Sequence, residues 1–172
     1  MTFWNASVAT SSVTFTNARS GVWRLQTPEL QWDFPNVFQI SVVVTPDQID
    51  SYGHVNNVVY IQWLADCAWA HSAVVGLSEE TCVAMGRGMA VRSMHIDLLA
   101  AAHESDELFV GDWVSSNDKR LRATRMFQIL NPQTGASLLR GHIDYVCINL
   151  ATGRPARMSP EFVERYEVTL PR

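Results

Sequence analysis

The sequence predicts an α+β domain in which a curved antiparallel sheet of about five strands wraps around one long buried helix. Three observations predict this architecture. Residues 58–75 contain neither glycine nor proline and are mostly apolar, which is typical of a buried helix. A segment of alternating apolar and polar residues precedes this helix, and four further strand-like segments follow it. Because the helix is too apolar to face water, we expect the sheet to cover it.

The first part of the chain differs in composition from the rest. Residues 1–35 are rich in serine, threonine and asparagine, and we interpret them as an N-terminal extension of unknown role. Pro35 marks the boundary, so that the main domain is expected to span residues 36–172. Its first element is a strand, since four apolar residues alternate there with polar ones. These are Phe38, Ile40, Val42 and Val44.

The long helix follows a turn-rich stretch, residues 46–57. Its apolar residues occupy most of the helix circumference, so we expect nearly all of its surface to be buried. Cys67 lies within it and is interpreted as a structural thiol, because no histidine in the sequence is an obvious partner for a nucleophile.

The remaining elements are separated by short turn clusters. We predict strands over residues 89–98, 108–116, 121–130 and 137–150, and a short final helix over residues 160–166. Ser159 precedes that helix and is a suitable N-cap residue.

The charge, the cysteines and the apolar stretches of the sequence argue against several classes of protein. The formal net charge of −4 argues against nucleic acid as the main partner. Three cysteines at long spacings fit neither a disulfide framework nor a zinc site, and indicate a reducing compartment. Because polar residues interrupt the longest apolar stretch, we expect no membrane span and a cytoplasmic location. His95 and Asp97 share one strand face, but no third metal ligand accompanies them.

Residues 50–60 read Asp-Ser-Tyr-Gly-His-Val-Asn-Asn-Val-Val-Tyr. This run is similar to the Asp-x-x-Gly-His-Val-Asn-Asn-x-x-Tyr of bacterial acyl-CoA thioesterases and to the His-Val-Asn-Asn signature of plant acyl-ACP thioesterases. Weaker matches are Asp97 followed by Ser105-Asp106-Glu107-Leu108, and the run from Thr152 to Arg157. On these residues the chain resembles the hotdog fold over residues 37–168, in the 4-hydroxybenzoyl-CoA thioesterase-like branch. It departs from these families at Gln48, where many relatives carry aspartate, and at Tyr52, where the plant enzymes carry asparagine.

The resemblance implies an enzyme that hydrolyses an acyl-CoA to a carboxylic acid and free CoA, without a cofactor or metal. It also implies a homodimer or homotetramer with active sites between subunits. Asp50 is then the nucleophile or the general base, and the backbone N–H of Asn57, at the helix N-terminus, belongs to the oxyanion hole. His54 is a further catalytic candidate. Gly53 and Tyr60 are expected to contact substrate.

Other interpretations of the same residues remain open. Asp50, Asn56 and Asn57 could serve only as turn and helix caps. The carrier could be acyl carrier protein instead of CoA, and the domain could bind acyl groups without turnover. Trp63 and Trp69 either fill the core or shape an acyl pocket.

A cluster of cations lies in the turn between two predicted strands. It consists of Lys119, Arg120 and Arg122. These side chains either belong to a solvated turn or contact the phosphates of CoA.

Overall fold

The computed structural model describes residues 30–169 together with two short segments nearer the N-terminus. These segments are strands β1 (Phe15–Thr16) and β2 (Val22–Trp23), which pair antiparallel. The rest of the predicted N-terminal extension before residue 30 lies outside the described residues.

The main sheet has five antiparallel strands and confirms the predicted fold. The strands are β3 (Phe38–Val43), β4 (Arg87–Leu98), β5 (Glu107–Asn117), β6 (Arg122–Leu130) and β7 (Ser137–Asn149). Their order across the sheet is β3-β5-β6-β7-β4, so that β3 and β4 form the two edges. Each predicted strand agrees with an observed one to within about two residues, because side-chain alternation is a local signal.

Helix α1 (Asn57–Val74) lies against the inner face of the sheet and matches the predicted long helix. Its buried residues are Tyr60, Trp63, Leu64, Cys67, Ala68 and Ser72. The expectation that nearly all of its surface is buried is wrong for this chain. Val58 is 69% exposed and Trp69 is 48% exposed, because the sheet curves around one side of the helix only.

The described residues contain two shorter α-helices. Helix α3 (Pro160–Arg165) confirms the predicted final helix. Helix α2 (Glu79–Met85) is not among the predicted elements. Only its two ends carry a sequence signal. The side chain of Ser78 accepts a hydrogen bond from the N–H of Thr81, and Gly86 ends the helix with φ of 62°.

Residues 31–35, which we call the outer strap, pack on the face of the sheet opposite α1. The ring of Trp32 lies 5.6 Å from that of Trp113, and the indole N–H of Trp113 donates to the carbonyl of Pro35. Asp33 accepts two hydrogen bonds from Arg140, at 2.6 and 3.0 Å. The outer strap therefore packs with the domain that was expected to begin at residue 36.

Candidate active site

The turn around Asp50 folds back on itself just before α1. Ile49 and Val55 form a short antiparallel bridge, and the N–H of Asp50 donates to the carbonyl of His54 at 2.8 Å. Gly53 has φ of 80°, a conformation that strains residues with a side chain. This loop brings the half-buried Asp50 close to the start of the helix.

The Asp50 carboxylate is held by its own turn. Its Oδ1 accepts hydrogen bonds from the N–H of Tyr52 at 2.8 Å and of His54 at 3.4 Å. This is the arrangement in which an aspartate caps a turn. The same hydrogen bonds fix the direction of the carboxylate, so that the capping and catalytic interpretations are compatible.

The N-terminus of α1 offers a backbone donor. Asn56 is the N-cap, since its Oδ1 accepts from the N–H of Val58 at 3.0 Å. Within residues 30–169, no acceptor contacts the N–H of Asn57. A free amide at the positive end of a helix is suited to stabilise an oxygen that gains negative charge.

Tyr60 connects the helix to the loop before β5. Its hydroxyl accepts a hydrogen bond from the N–H of Ala102 at 2.8 Å, and the N–H of Val55 donates to the carbonyl of Ala102. Burial raises the pKa of the Tyr60 hydroxyl. Tyr60 therefore fixes the position of the loop, and its contact with substrate stays a prediction.

His54 is exposed and has a neighbour that the sequence motif does not include. Its ring lies 5.3 Å from the ring of His103, in an edge-to-face arrangement. His103 belongs to the loop before β5, so the proximity of the two rings arises from tertiary contacts and leaves no local signal in the sequence.

The predicted cations lie at the opposite end of β5. Asp118 Oδ1 accepts hydrogen bonds from the N–H groups of Arg120, Leu121 and Arg122, which shapes an exposed hairpin. The loop at residue 50 contacts the segment that precedes β5, whereas the hairpin follows the end of β5. Ten residues of strand extend over about 33 Å. The structure does not bring the cations and Asp50 together within the chain.

A buried ionic cluster lies under the C-terminal half of α1 and is absent from the sequence predictions. Asp112 on β5 is fully buried and forms an ion pair with Arg125 on β6. The Nδ1 atom of His71 lies 2.9 Å from Asp112 Oδ2, and Arg125 Nη2 donates to Ser72 Oγ at 2.9 Å. Burial by itself lowers the pKa of Arg125, but the Asp112 carboxylate, together with Tyr166 and Tyr145, keeps that pKa above its ordinary value.

Cys67 also lies on the buried face of α1. Its thiol donates to the carbonyl of Val110 at 3.2 Å. Burial raises the pKa of the Cys67 thiol well above its usual value. Both observations fit a structural thiol, since a nucleophilic cysteine needs a lowered pKa.

The Thioesterase-like superfamily profile matches residues 44–166, well over half of the chain. The chain belongs to this superfamily. The match includes the Asp50 loop, α1 and every strand of the main sheet except β3, which ends at Val43, just before the match begins. No curated protein sequence is significantly similar to the chain.

Several solved structures share the fold of this thioesterase-like chain. A 1,4-dihydroxy-2-naphthoyl-CoA thioesterase from Synechocystis is 20% identical, covering 76% of this chain and 95% of its own, with a TM-score of 0.68. A Staphylococcus aureus protein in complex with CoA is 18% identical over 75% of this chain and 80% of its own, with a TM-score of 0.70. An acyl-ACP thioesterase from Bacteroides thetaiotaomicron is 22% identical over 78% of this chain but 54% of its own, with a TM-score of 0.69.

Two further features concern the part of the chain that the structure describes. None of its helices has the length and apolar content needed to cross a membrane. No three His, Cys, Asp or Glu side chains converge there as metal ligands would. His95 Nε2 lies 3.5 Å from Asp97 Oδ1, without a third ligand.

Proposed function

We propose that this member of the thioesterase-like superfamily hydrolyses acyl-CoA to a carboxylic acid and free CoA. The observation that carries the proposal is the position of the Asp50 carboxylate, which its own turn fixes in the loop that leads into α1. The first amide of that helix, the N–H of Asn57, has no acceptor among the described residues and can bind an oxyanion. The presence of CoA in a neighbour with the same fold supports the choice of carrier.

The reaction needs few groups, because a thioester has a good leaving group. The thioester carbonyl oxygen accepts a hydrogen bond from the N–H of Asn57, which stabilises the tetrahedral intermediate. Asp50 either attacks the carbonyl carbon, giving an acyl-aspartate that water then hydrolyses, or takes a proton from an attacking water. In both routes the carbon–sulfur bond breaks, and the CoA thiolate then takes up a proton.

Gly53, His54 and Tyr60 support this geometry in different ways. Gly53 allows the sharp turn between Asp50 and the helix. His54 is exposed beside His103 and is available to bind the attacking water. Tyr60 fixes the loop at Ala102, which in turn binds the N–H of Val55 in the Asp50 loop.

The substitution Asp50→Asn tests the proposal. Asparagine keeps the oxygen that accepts from Tyr52, so we expect the melting temperature to remain nearly unchanged. It removes the basic carboxylate, so kcat should fall by about 100-fold or more. Release of free thiol from a panel of acyl-CoAs gives kcat, and thermal unfolding gives the melting temperature.

Asp47→Asn is the matched control, because Asp47 is an exposed carboxylate three residues away in the same loop. It should retain activity close to that of the wild type. Wild-type kcat in a folded Asp50→Asn protein would refute the catalytic role of Asp50. Hydrolysis of acyl-ACP but not acyl-CoA would show that the carrier is wrong, and hydrolysis of neither would favour a non-catalytic acyl-binding module.

A further inference from the structure

A small cavity lies between the C-terminal half of α1 and the inner face of the sheet. Its volume is about 120 Å³. Most of its lining is apolar, including Ala65, Trp69, Met89, Val91 and Phe162. Mostly apolar cavities with a few converging polar groups are the usual form of small-molecule sites.

The polar part of the lining comes from four residues, namely Ser72, Arg125, Tyr145 and Tyr166. The hydroxyl of Ser72 is fully used, since it donates to the carbonyl of Ala68 and accepts from Arg125. It also lies 3.0 Å from the hydroxyl of Tyr166, which must therefore be the donor. Tyr166 still has lone pairs that can accept a hydrogen bond.

Tyr145 differs from the other three polar residues. Among the residues that the structure describes, none forms a hydrogen bond with its hydroxyl. Burial raises the pKa of Tyr145 to about 12, so its hydroxyl keeps its proton at neutral pH. A protonated hydroxyl without a partner can donate to an oxygen of a bound molecule.

The charges of the cluster decide what kind of oxygen fits. The positive charge of Arg125 is already compensated by Asp112, which is completely buried. A carboxylate in the cavity would add a negative charge that Arg125, already paired with Asp112, does not compensate, and this is unfavourable in a desolvated site. A neutral hydroxyl or carbonyl oxygen can accept from Tyr145 without that penalty.

An apolar stripe, exposed except at the half-buried Ala65, connects the cavity to the helix N-terminus. Val58, Ile61, Ala65 and Trp69 are spaced by three or four residues and so share one face of α1. Ala65 lies eight residues after Asn57, which is about 12 Å along the helix axis. A carbon chain with bonds of ~1.5 Å and angles of ~111° needs roughly ten carbons to extend over that distance.

We propose that the cavity receives the far end of a medium-length acyl chain and that the Tyr145 hydroxyl selects chains that carry a neutral oxygen there. The thioester would lie at Asn57, the chain would follow the apolar stripe, and the terminal hydroxyl or carbonyl would enter the cavity. The inference rests on the proposed function for the position of the thioester. The cavity itself can be tested without turnover.

The binding test uses the free acids 10-hydroxydecanoate and decanoate, measured by calorimetry on the wild type and on Tyr145→Phe. We expect the wild type to bind the hydroxy acid about three- to tenfold more tightly, and Tyr145→Phe to lose that preference. Tyr52→Phe is the matched control, since Tyr52 is 85% exposed and does not line the cavity. It should keep the preference.

A second variant tests the cavity by filling it. Ala65→Leu is placed on a half-buried helix position, where leucine is a good helix former. This substitution should weaken the binding of both acids by about tenfold, and thermal unfolding verifies that the protein is folded.

Three results would overturn the proposal: equal binding of the two acids, a preference that survives in Tyr145→Phe, and no binding of either acid. None of these results depends on thiol release. The experiments therefore distinguish failure of the cavity proposal from failure of the proposed function. If acyl-CoA is hydrolysed, the ratio of kcat/KM for 10-hydroxydecanoyl-CoA over decanoyl-CoA should fall in Tyr145→Phe by the same factor.

Discussion

Two oppositely charged residues, Asp112 and Arg125, meet beneath α1 in an otherwise apolar core. Their attraction offsets the cost of removing both charges from water, and Ser72 and His71 provide further polar contacts. One oxygen of Asp112, Oδ1, is buried without a hydrogen-bond partner in the described residues. The pair is therefore costly to bury, and it depends on both members being present.

The substitution Asp112→Asn should destabilise the protein by about 3–5 kcal/mol, because Arg125 would remain buried without a counter-charge. Denaturant unfolding measures the change. Replacing both residues, as Asp112→Leu with Arg125→Met, should cost much less, since no charge would remain buried. Asp66→Asn is the control: Asp66 is an exposed partner of Gln62 on the same helix, and the expected change is below ~0.5 kcal/mol. Equal losses in the single and double variants would contradict this account.

Single residues differ in how far the sequence predicts them. Asp50 and Asn56 make their hydrogen bonds within four residues, so a short motif contains both the donors and the acceptors. Asp112 and Arg125 are opposite Phe127 and Val114 in the sheet, and they meet diagonally. That contact depends on strand register and on the docking of α1, and the neighbouring residues in the sequence determine neither.

At the scale of elements, β4 and β7 make the closest backbone approach at a glycine. A Cβ on Gly141 would lie 2.6 Å from the carbonyl oxygen of His95. A Cβ on Gly88 would meet only the flexible side chain of Leu150, at 2.9 Å. The first contact is with backbone, which cannot move without separating the two strands.

We therefore expect Gly141→Ala to destabilise the protein by about 1–3 kcal/mol. Gly88→Ala, the matched control on the neighbouring strand, should cost less because Leu150 can change its side-chain conformation. Denaturant unfolding of both variants gives the comparison. A larger loss for Gly88→Ala would show that the β4–β7 spacing is not the limiting contact.

Elements were predictable where one periodic pattern covers many residues. The five strands and α1 have such patterns, and their predicted bounds agree closely with the observed ones. Helix α2 has only seven residues, so its cap at Ser78 and its stop at Gly86 are its main signals. The burial predicted for α1 from its apolar composition was too high, because composition does not show which face of the helix contacts the sheet.

For the whole molecule, β4 is an open sheet edge next to exposed apolar side chains. Met94 is 44% exposed and Val91 is 51% exposed on this edge. An unpaired edge of this kind favours pairing with another chain. Together with the exposed side of α1, this supports the expectation of a homo-oligomer.

Light scattering should give at least about twice the subunit mass of 19.3 kDa. Met94→Lys places a charge on the β4 edge and should shift the protein towards monomer. Val83→Lys is the control, since Val83 is 64% exposed on α2, away from that edge. A wild-type mass of one subunit at micromolar concentration would refute the prediction.

Replacing Lys119 and Arg120 by alanine should raise KM for acyl-CoA several-fold and leave kcat nearly unchanged, if these cations contact nucleotide phosphates. A short thioester without the nucleotide should be much less affected. Arg154→Ala, at an exposed turn elsewhere, is the matched control. Equal effects on both substrates would assign the cations to a solvated turn.

The distance from these cations to Asp50 allows a sharper version of the test. If each site takes Asp50 from one subunit and the hairpin from another, mixing Asp50→Asn subunits with Lys119→Ala/Arg120→Ala subunits should restore activity at low acyl-CoA concentration. Activity no higher than the average of the two parents would show that the hairpin does not act across subunits.

The outer strap determines where the chain can be shortened. A truncation at residue 36 would remove Trp32 and Asp33 and uncover Trp113, which is now only 1% exposed. It would also leave the side chain of Gln128 without the two backbone groups of the strap that it binds. A fragment that keeps these contacts of the outer sheet face must therefore begin no later than residue 31, ahead of the first residue that the superfamily profile matches.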